Sequence, residues 1–307
     1  MTAVSQARME RVVVREKANG GTPTNYLYLG PALLMVAAFV YYGLYFNADA
    51  SFFDWDGISQ DRYFIGTENY LEILSDRTFL QALTNTLIWS GLSIFLLTSI
   101  GFILAALMSA DVRAKGFLSS VIIFPSITAT VVVATVARHV FGADGEFNAL
   151  LSMLGLGDYT RAWLADPATA LYALTAAHVW QWTGFSFLLY YSALTLVNQE
   201  VVEAAYLDGA NLWQIIWRVL FPMCRPTTYA LVILGVIQSL KTFDIVYLTT
   251  GGGPGTSTEM VSTYLFEKAL LDSRAGYSAA ISVVLVLIAI VATTGFMWLQ
   301  QRRSSDE

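Results

Sequence analysis

Residues 198–226 read NQEVVEAAYLDGANLWQIIWRVLFPMCRP. This stretch lies between two long apolar segments, where a plain connector would be short and polar. Instead it has helical periodicity. Val202, Ala205, Tyr206 and Ala210 recur at three and four, and Trp213, Ile216, Trp217 and Leu220 do so again. Gly209 separates the two runs and suits a sharp turn, because it accepts a positive φ without a Cβ penalty. Pro222 and Pro226 are expected to stop the second helix. The spacing fits either an interfacial helix on lipid or an element that docks on a partner. The acidic Glu203 and Asp208, set among the small Ala204 and Ala205, favour a protein partner. A helix lying on lipid favours Lys and Arg.

The whole chain of 307 residues is apolar: 56% hydrophobic, 14% aromatic and only 13% charged. A soluble domain carries about twice that charge. The aromatic content excludes disorder, and the single Cys224 excludes a disulfide scaffold. A net charge of −6 argues against a DNA-binding module, and two histidines with one cysteine argue against a zinc site. A membrane helix needs roughly 20 mostly apolar residues. Six segments qualify: Tyr26–Phe46, Leu83–Ala110, Phe117–Phe141, Thr169–Val197, Thr227–Leu248 and Tyr277–Leu299. The N-terminal tail shows no cleavable signal peptide, so the first segment reads as a retained helix.

Basic residues set the orientation. Arg8, Arg11, Arg15 and Lys17, then Arg113 and Lys115, Arg218 and Arg225, and Arg302 and Arg303 all fall on one side of six spans. Acidic residues such as Asp49, Asp54, Asp56 and Asp61 dominate the opposite loops. Both termini are therefore expected in the cytoplasm. The expected architecture is all-α and polytopic, with a tail over residues 1–25 and a permease domain over 26–307.

The motif spacing now becomes specific. Glu203-Ala204-Ala205, three residues, Gly209, nine residues, then Val219-Leu220-Phe221-Pro222 resembles the EAA loop of ABC-importer permeases. Asp208-Gly209-Ala210 with Trp213-Gln214 resembles the sugar-importing branch. Phe243-Asp244-Ile245-Val246-Tyr247-Leu248-Thr249-Thr250-Gly251-Gly252-Gly253-Pro254 resembles the signature of the first maltose permease subunit type. The resemblance implies a type I importer fold of six helices with a cytoplasmic coupling helix. It implies a second permease, two ATPase subunits that hold ATP and Mg, and an extracytoplasmic solute-binding protein. Glu203, Ala204, Ala205, Asp208, Gly209, Ala210 and Pro222 would then form the ATPase-coupling element. No cofactor is expected on this chain, and no nucleophile–base pair argues for an enzyme. The Gly-rich stretch Gly251–Thr258 lacks the Lys and Ser/Thr of a phosphate-binding loop and reads as a turn.

Polar residues inside the spans mark a candidate pathway. Gly235, Gln238, Ser239 and Thr242 recur at three and four on span five. Gln181, Thr183, Gly184 and Ser186 cluster beside Trp180 and Trp182 on span four. Hydrogen-bonding groups beside aromatic faces suit a sugar, although ordinary helix packing also enriches small and polar residues. Lys241 and Asp244 are three apart and are expected to pair, a salt bridge that fixes span five. The function expected is uptake of a sugar or polyol, with a glycerol-phosphate importer or an ion-coupled carrier as alternatives.

Overall fold

The computed structural model describes residues 23–109 and 113–305. The basic tail, the end of the second span at Ala110 and the Arg303 side chain lie outside the described residues. Residues 23–49 form one compact unit and residues 50–305 a second.

The first unit is helical throughout. α1 (Pro23–Met35) runs through a π-helical stretch, Val36–Tyr41, into α2 (Tyr42–Ala50). Pro31 sits inside α1.

The second unit opens with a two-residue hairpin, β1 (Phe53–Asp54) against β2 (Tyr63–Phe64), paired antiparallel with Phe53 opposite Phe64. Then come α3 (Glu68–Ser75), α4 (Arg77–Ser109), α5 (Lys115–Ile123) and α6 (Thr130–Val140). α7 (Glu146–Met153) and α8 (Ala170–Thr195) follow. α9 (Gln199–Leu207) and α10 (Leu212–Gln214) occupy the EAA-like stretch. α10 passes through a π-helical stretch, Ile215–Leu220, into α11 (Phe221–Met223). The chain ends with α12 (Arg225–Leu240), α13 (Asp244–Thr249), α14 (Val261–Phe266) and the long α15 (Ala275–Ser305).

Among the described residues, three helices are long and apolar enough to cross a membrane: Leu29–Ala50, Arg77–Ser109 and Ala275–Trp298. Two bent pairs meet the same requirement as pairs. The expected third span is one of them, bent by 97° between Ile127 and Thr130. Pro125 lies in the 3₁₀ turn Phe124–Ile127, and Thr128 and Ala129 are extended, so the helical ladder stops there. The expected fourth span is α8. Its 26 residues suffice in length, but His178, Gln181 and its Tyr, Thr and Ser residues lower its hydropathy.

The expected fifth span needs correction. α12 stops at Leu240, and α13 is a separate short helix. Lys241 N–H and Thr242 N–H bond back to Gln238 O and Ser239 O, which closes the helix with tight turns. Ser262 Oγ donates to the freed Thr242 carbonyl. The second helix ends at Met223, between Pro222 and Pro226, and a 69° bend precedes α12, whose first turn holds Pro226.

Packing at the centre is close. α4 and α8 approach so tightly that a Cβ on Gly101 would stand 2.4 Å from Ser186 Oγ. The loop before α14 is stapled to α4: Asn85 Nδ2 donates to Thr256 O (3.0 Å) and Glu259 O (2.9 Å). Gly251–Thr258 is a turn, as expected. Gly252 has a φ of +90°, and a Cβ there would sit 2.0 Å from the buried Glu259 carboxylate. At the end of the unit near α3, Asp76 accepts from the Tyr264 and Tyr277 hydroxyls and from Thr78 N–H. Arg274 there makes a two-pronged ion pair with Glu72 at 2.7 and 2.6 Å.

Candidate functional site

A cavity of about 370 Å³ opens among α4, α6, α8, α12 and the break that follows α12. The helix breaks create it. Where a helix stops, its backbone turns aside and leaves space that neighbouring side chains line. Eight of the residues singled out above meet there: Gln181, Ser186, Gly235, Gln238, Ser239, Lys241, Thr242 and Asp244. His178, Trp182, Phe185 and Phe243 supply aromatic walls, and Ser93 and Thr98 of α4 complete the rim.

These groups differ in where their hydrogen bonds go. Ser186 Oγ donates to Leu97 O across the α4–α8 contact (2.7 Å), so it ties two helices together. Ser239 donates to Gly235 O within α12, and Thr242, just past its end, donates back to Gln238 O. Gln181 is 2% exposed. Its Nε2 reaches Thr128 O (3.2 Å) and Thr130 Oγ1 (3.4 Å), satisfying a carbonyl that the bent helix leaves free. Its Oε1 has no hydrogen-bond partner among the described residues. Gln238, Lys241 and Asp244 are exposed toward open space.

Three expectations change. Lys241 and Asp244 form no ion pair with each other, because the helix ends between them and the three-residue spacing no longer places them on one face. Gly184 does not line the cavity. A Cβ there would meet Ile122 O at 2.5 Å, Ser126 Oγ at 2.6 Å and Ile123 Cα at 2.7 Å, so it lets α8 pack against the helix that precedes the 97° bend. Thr183 is not in the cavity either; its hydroxyl bonds to Val179 O at 2.6 Å. Trp180 lines a separate apolar groove with Val136 and Phe141.

The EAA-like stretch forms two helices at an angle. Asn198 caps α9 by accepting from Glu200 N–H (3.1 Å), and Asn211 and Gln214 form a reciprocal capping box at 2.8 and 2.9 Å. Gly209 joins them with a φ of +82°. Glu203, Ala204 and Asp208 are exposed, while Ala205 and Ala210 pack against a cluster built on Phe102, Tyr190 and Ile216.

Residues 97–305 match the family described as binding-protein-dependent transport system inner membrane component. The chain belongs to this family. It is an ABC-transporter permease, a component of the inner membrane. It is 33% identical over 268 residues to the probable ABC transporter permease protein YurN of Bacillus subtilis, covering 86% of this chain and 91% of the relative. It is 29% identical over 279 residues to the trehalose/maltose transport system permease protein MalF of Thermococcus litoralis, covering 89% and 92%. A solved bacterial alginate ABC transporter, in complex with an alginate pentasaccharide-bound periplasmic protein, has the same fold. The TM-score is 0.78 at 24% identity, over 91% of this chain and 94% of that one.

Some of the permease's cavity was missed in the sequence. Thr98, His178 and Phe243 line it, and Thr130 anchors Gln181. One available signal was periodicity. Residues two apart on a helix point about 200° apart, so Trp180 and Trp182 cannot both face one cavity.

Proposed function

We propose that this permease forms half of the transmembrane pathway of an ATP-driven importer for a sugar or polyol. One observation carries the reading. Polar residues from separate segments converge on a cavity with aromatic walls, the combination that hydroxyl groups and sugar C–H faces require. Names of relatives such as the trehalose/maltose permease support the solute class. Lys241 is the lone ammonium or guanidinium among the lining residues, which disfavours a phosphorylated solute. Lys241 and Asp244 face the cavity as separate groups, so they suit solute contact better than a proton relay.

The full assembly in this reading has six spans, with α8 counted as the fourth, and both termini in the cytoplasm. Residues 1–25 form a cytoplasmic tail. A second permease completes the pathway, and an extracytoplasmic binding protein delivers the solute. Two ATPase subunits hold ATP and Mg, and Glu203, Ala204, Ala205, Asp208, Gly209, Ala210 and Pro222 form the coupling element that engages one of them. ATP binding draws the ATPases together, the coupling helix α9 moves as a lever, and the cavity opens outward. Hydrolysis restores the inward state. Each ligand shifts the balance only by its preference for one state.

Reconstituted vesicles test this. Uptake should require ATP and the binding protein, and Glu203→Lys should reduce ATPase association or uncouple hydrolysis from uptake while insertion stays normal. Gln238→Ala should change solute affinity or rate. Uptake by this chain alone, driven by an ion gradient, overturns the proposal.

A further inference from the structure

The two arms of the EAA-like element have different chemistry. The first arm, α9 and the Asp208 that follows it, presents Glu203 and Asp208 to solvent. The second arm, Leu212–Met223, buries Ile215, Ile216 and Leu220 in the bundle, yet its outer face also carries large apolar rings. Trp213 is 61% exposed, and Trp217, 43% exposed, rests one side of its ring on the buried Phe102 at 5.7 Å between centroids. Beside them Arg218 is exposed and, among the described residues, makes no ion pair or hydrogen bond. An arm that is apolar on both faces and carries a free guanidinium is poorly suited to water. It is suited to the boundary layer of a bilayer, where indole rings rest at headgroup depth.

Charge at this end of the unit agrees. Lys115 Nζ lies 5.2 Å over the ring of Tyr191, which packs on the cluster that buries Ile215 and Ile216. Arg302 lies 3.7 Å over Trp298, two residues beyond Phe296, which packs on Tyr229 just after the bend. Lys115 and Tyr191 thus put a cation on the cluster that seats the second arm, and the acids of this element sit on the first.

We propose that Arg218, flanked by Trp213 and Trp217, binds the headgroup of an anionic phospholipid and anchors the second arm to the membrane surface. The hinge at Gly209 then separates a lipid-anchored arm from a partner-docking arm. The anchor gives the lever a fixed point, so that a push on α9 turns the element instead of sliding it.

Tryptophan quenching tests the proposal. The full-length chain is reconstituted into phosphatidylcholine nanodiscs containing a minor fraction of brominated phosphatidylglycerol or, in parallel, of brominated phosphatidylcholine, with the bromines near the headgroup. Anionic lipid should be enriched around the arm about fivefold, the factor for one basic side chain near an anionic surface. Brominated phosphatidylglycerol should therefore quench more strongly. Trp213→Phe with Trp217→Phe should remove the part of the excess that these indoles report. Arg218→Gln should lower the excess to that of the double Phe variant with both indoles still present, and Arg218→Lys should keep it at the wild-type level. Equal quenching in the wild type overturns the proposal, as does an excess that Arg218→Gln leaves undiminished. So does loss of the excess when the ATPase subunits assemble, because that assigns the face to a protein partner.

Discussion

Replacing Gly184 with alanine adds one methyl group where two segments touch backbone to backbone. The new carbon would stand 2.5 Å from Ile122 O, 2.6 Å from Ser126 Oγ and 2.7 Å from Ile123 Cα. Ordinary contacts begin near 3.4 Å, so the segments must separate by nearly an ångström. Two of the three neighbours are backbone atoms, and no rotamer change relieves them. Overpacking of this kind costs about 1–3 kcal/mol. Separation also stretches the Ser126 Oγ bond to Gln181 O, now 2.7 Å, and loses about 1 kcal/mol more. The expected loss is roughly 2–4 kcal/mol, a fall of roughly 5–10 °C in apparent melting temperature. Fluorescence-monitored melting of the purified permease measures it. Gly91→Ala is the control: among the described residues no atom outside its own helix lies within 4 Å of a Cβ there, so alanine should be neutral or slightly stabilising. Ser126→Ala added to Gly184→Ala should recover only part of the loss. If Gly184→Ala melts within about 2 °C of the wild type, the close-contact reasoning fails.

Asp76→Ala should cost roughly 3 kcal/mol in a melting assay, since it removes a helix cap and the acceptor for two buried tyrosine hydroxyls. Burial opposes the Asp76 charge, but hydrogen bonds from Tyr264, Tyr277, Phe79 and Thr78 outweigh it and hold the carboxyl below its ordinary value. A depressed pKa gives stability that is present above the unfolded value of about 4 and lost as pH falls through the folded value. Asp76→Asn should therefore flatten the acid-side fall in melting temperature. Gly209→Val forces a β-branched residue to a φ of +82°. It should reduce ATP-dependent uptake in vesicles while leaving membrane insertion unchanged. Gln181→Leu leaves Thr128 O without its partner and should lower melting stability by about 1–3 kcal/mol. Unchanged melting would separate Gln181 from the helix bend.

The apolar segments were legible because twenty-residue runs without charge have few other uses. The loop from Glu203 to Pro222 was legible because its periodicity changed where a connector should have none. The break after Leu240 was not. Lys241-Thr242-Phe243 contains neither Gly nor Pro, and the turn is held by Ser262, twenty residues away. Gly184 illustrates a different limit. A small residue beside polar ones fits either a cavity wall or a tight crossing, and only the position of Ile122 decides between them. Thr98 went unnoticed because it is one hydroxyl in the apolar α4, and its bond to Ile94 O hides the polarity within the helix.

The Asn85 staple has a consequence in time. Its partner Thr256 follows it by 171 residues. At roughly 5–20 residues per second of synthesis, Thr256 is made about 10–30 s after Asn85. For that interval the carboxamide on α4 has no carbonyl of the later loop to meet. Water, headgroups or the insertion machinery must satisfy it until the last part of the chain arrives. α4 therefore enters the membrane early but reaches its final environment late, and a ribosome that stalls before residue 256 leaves it waiting.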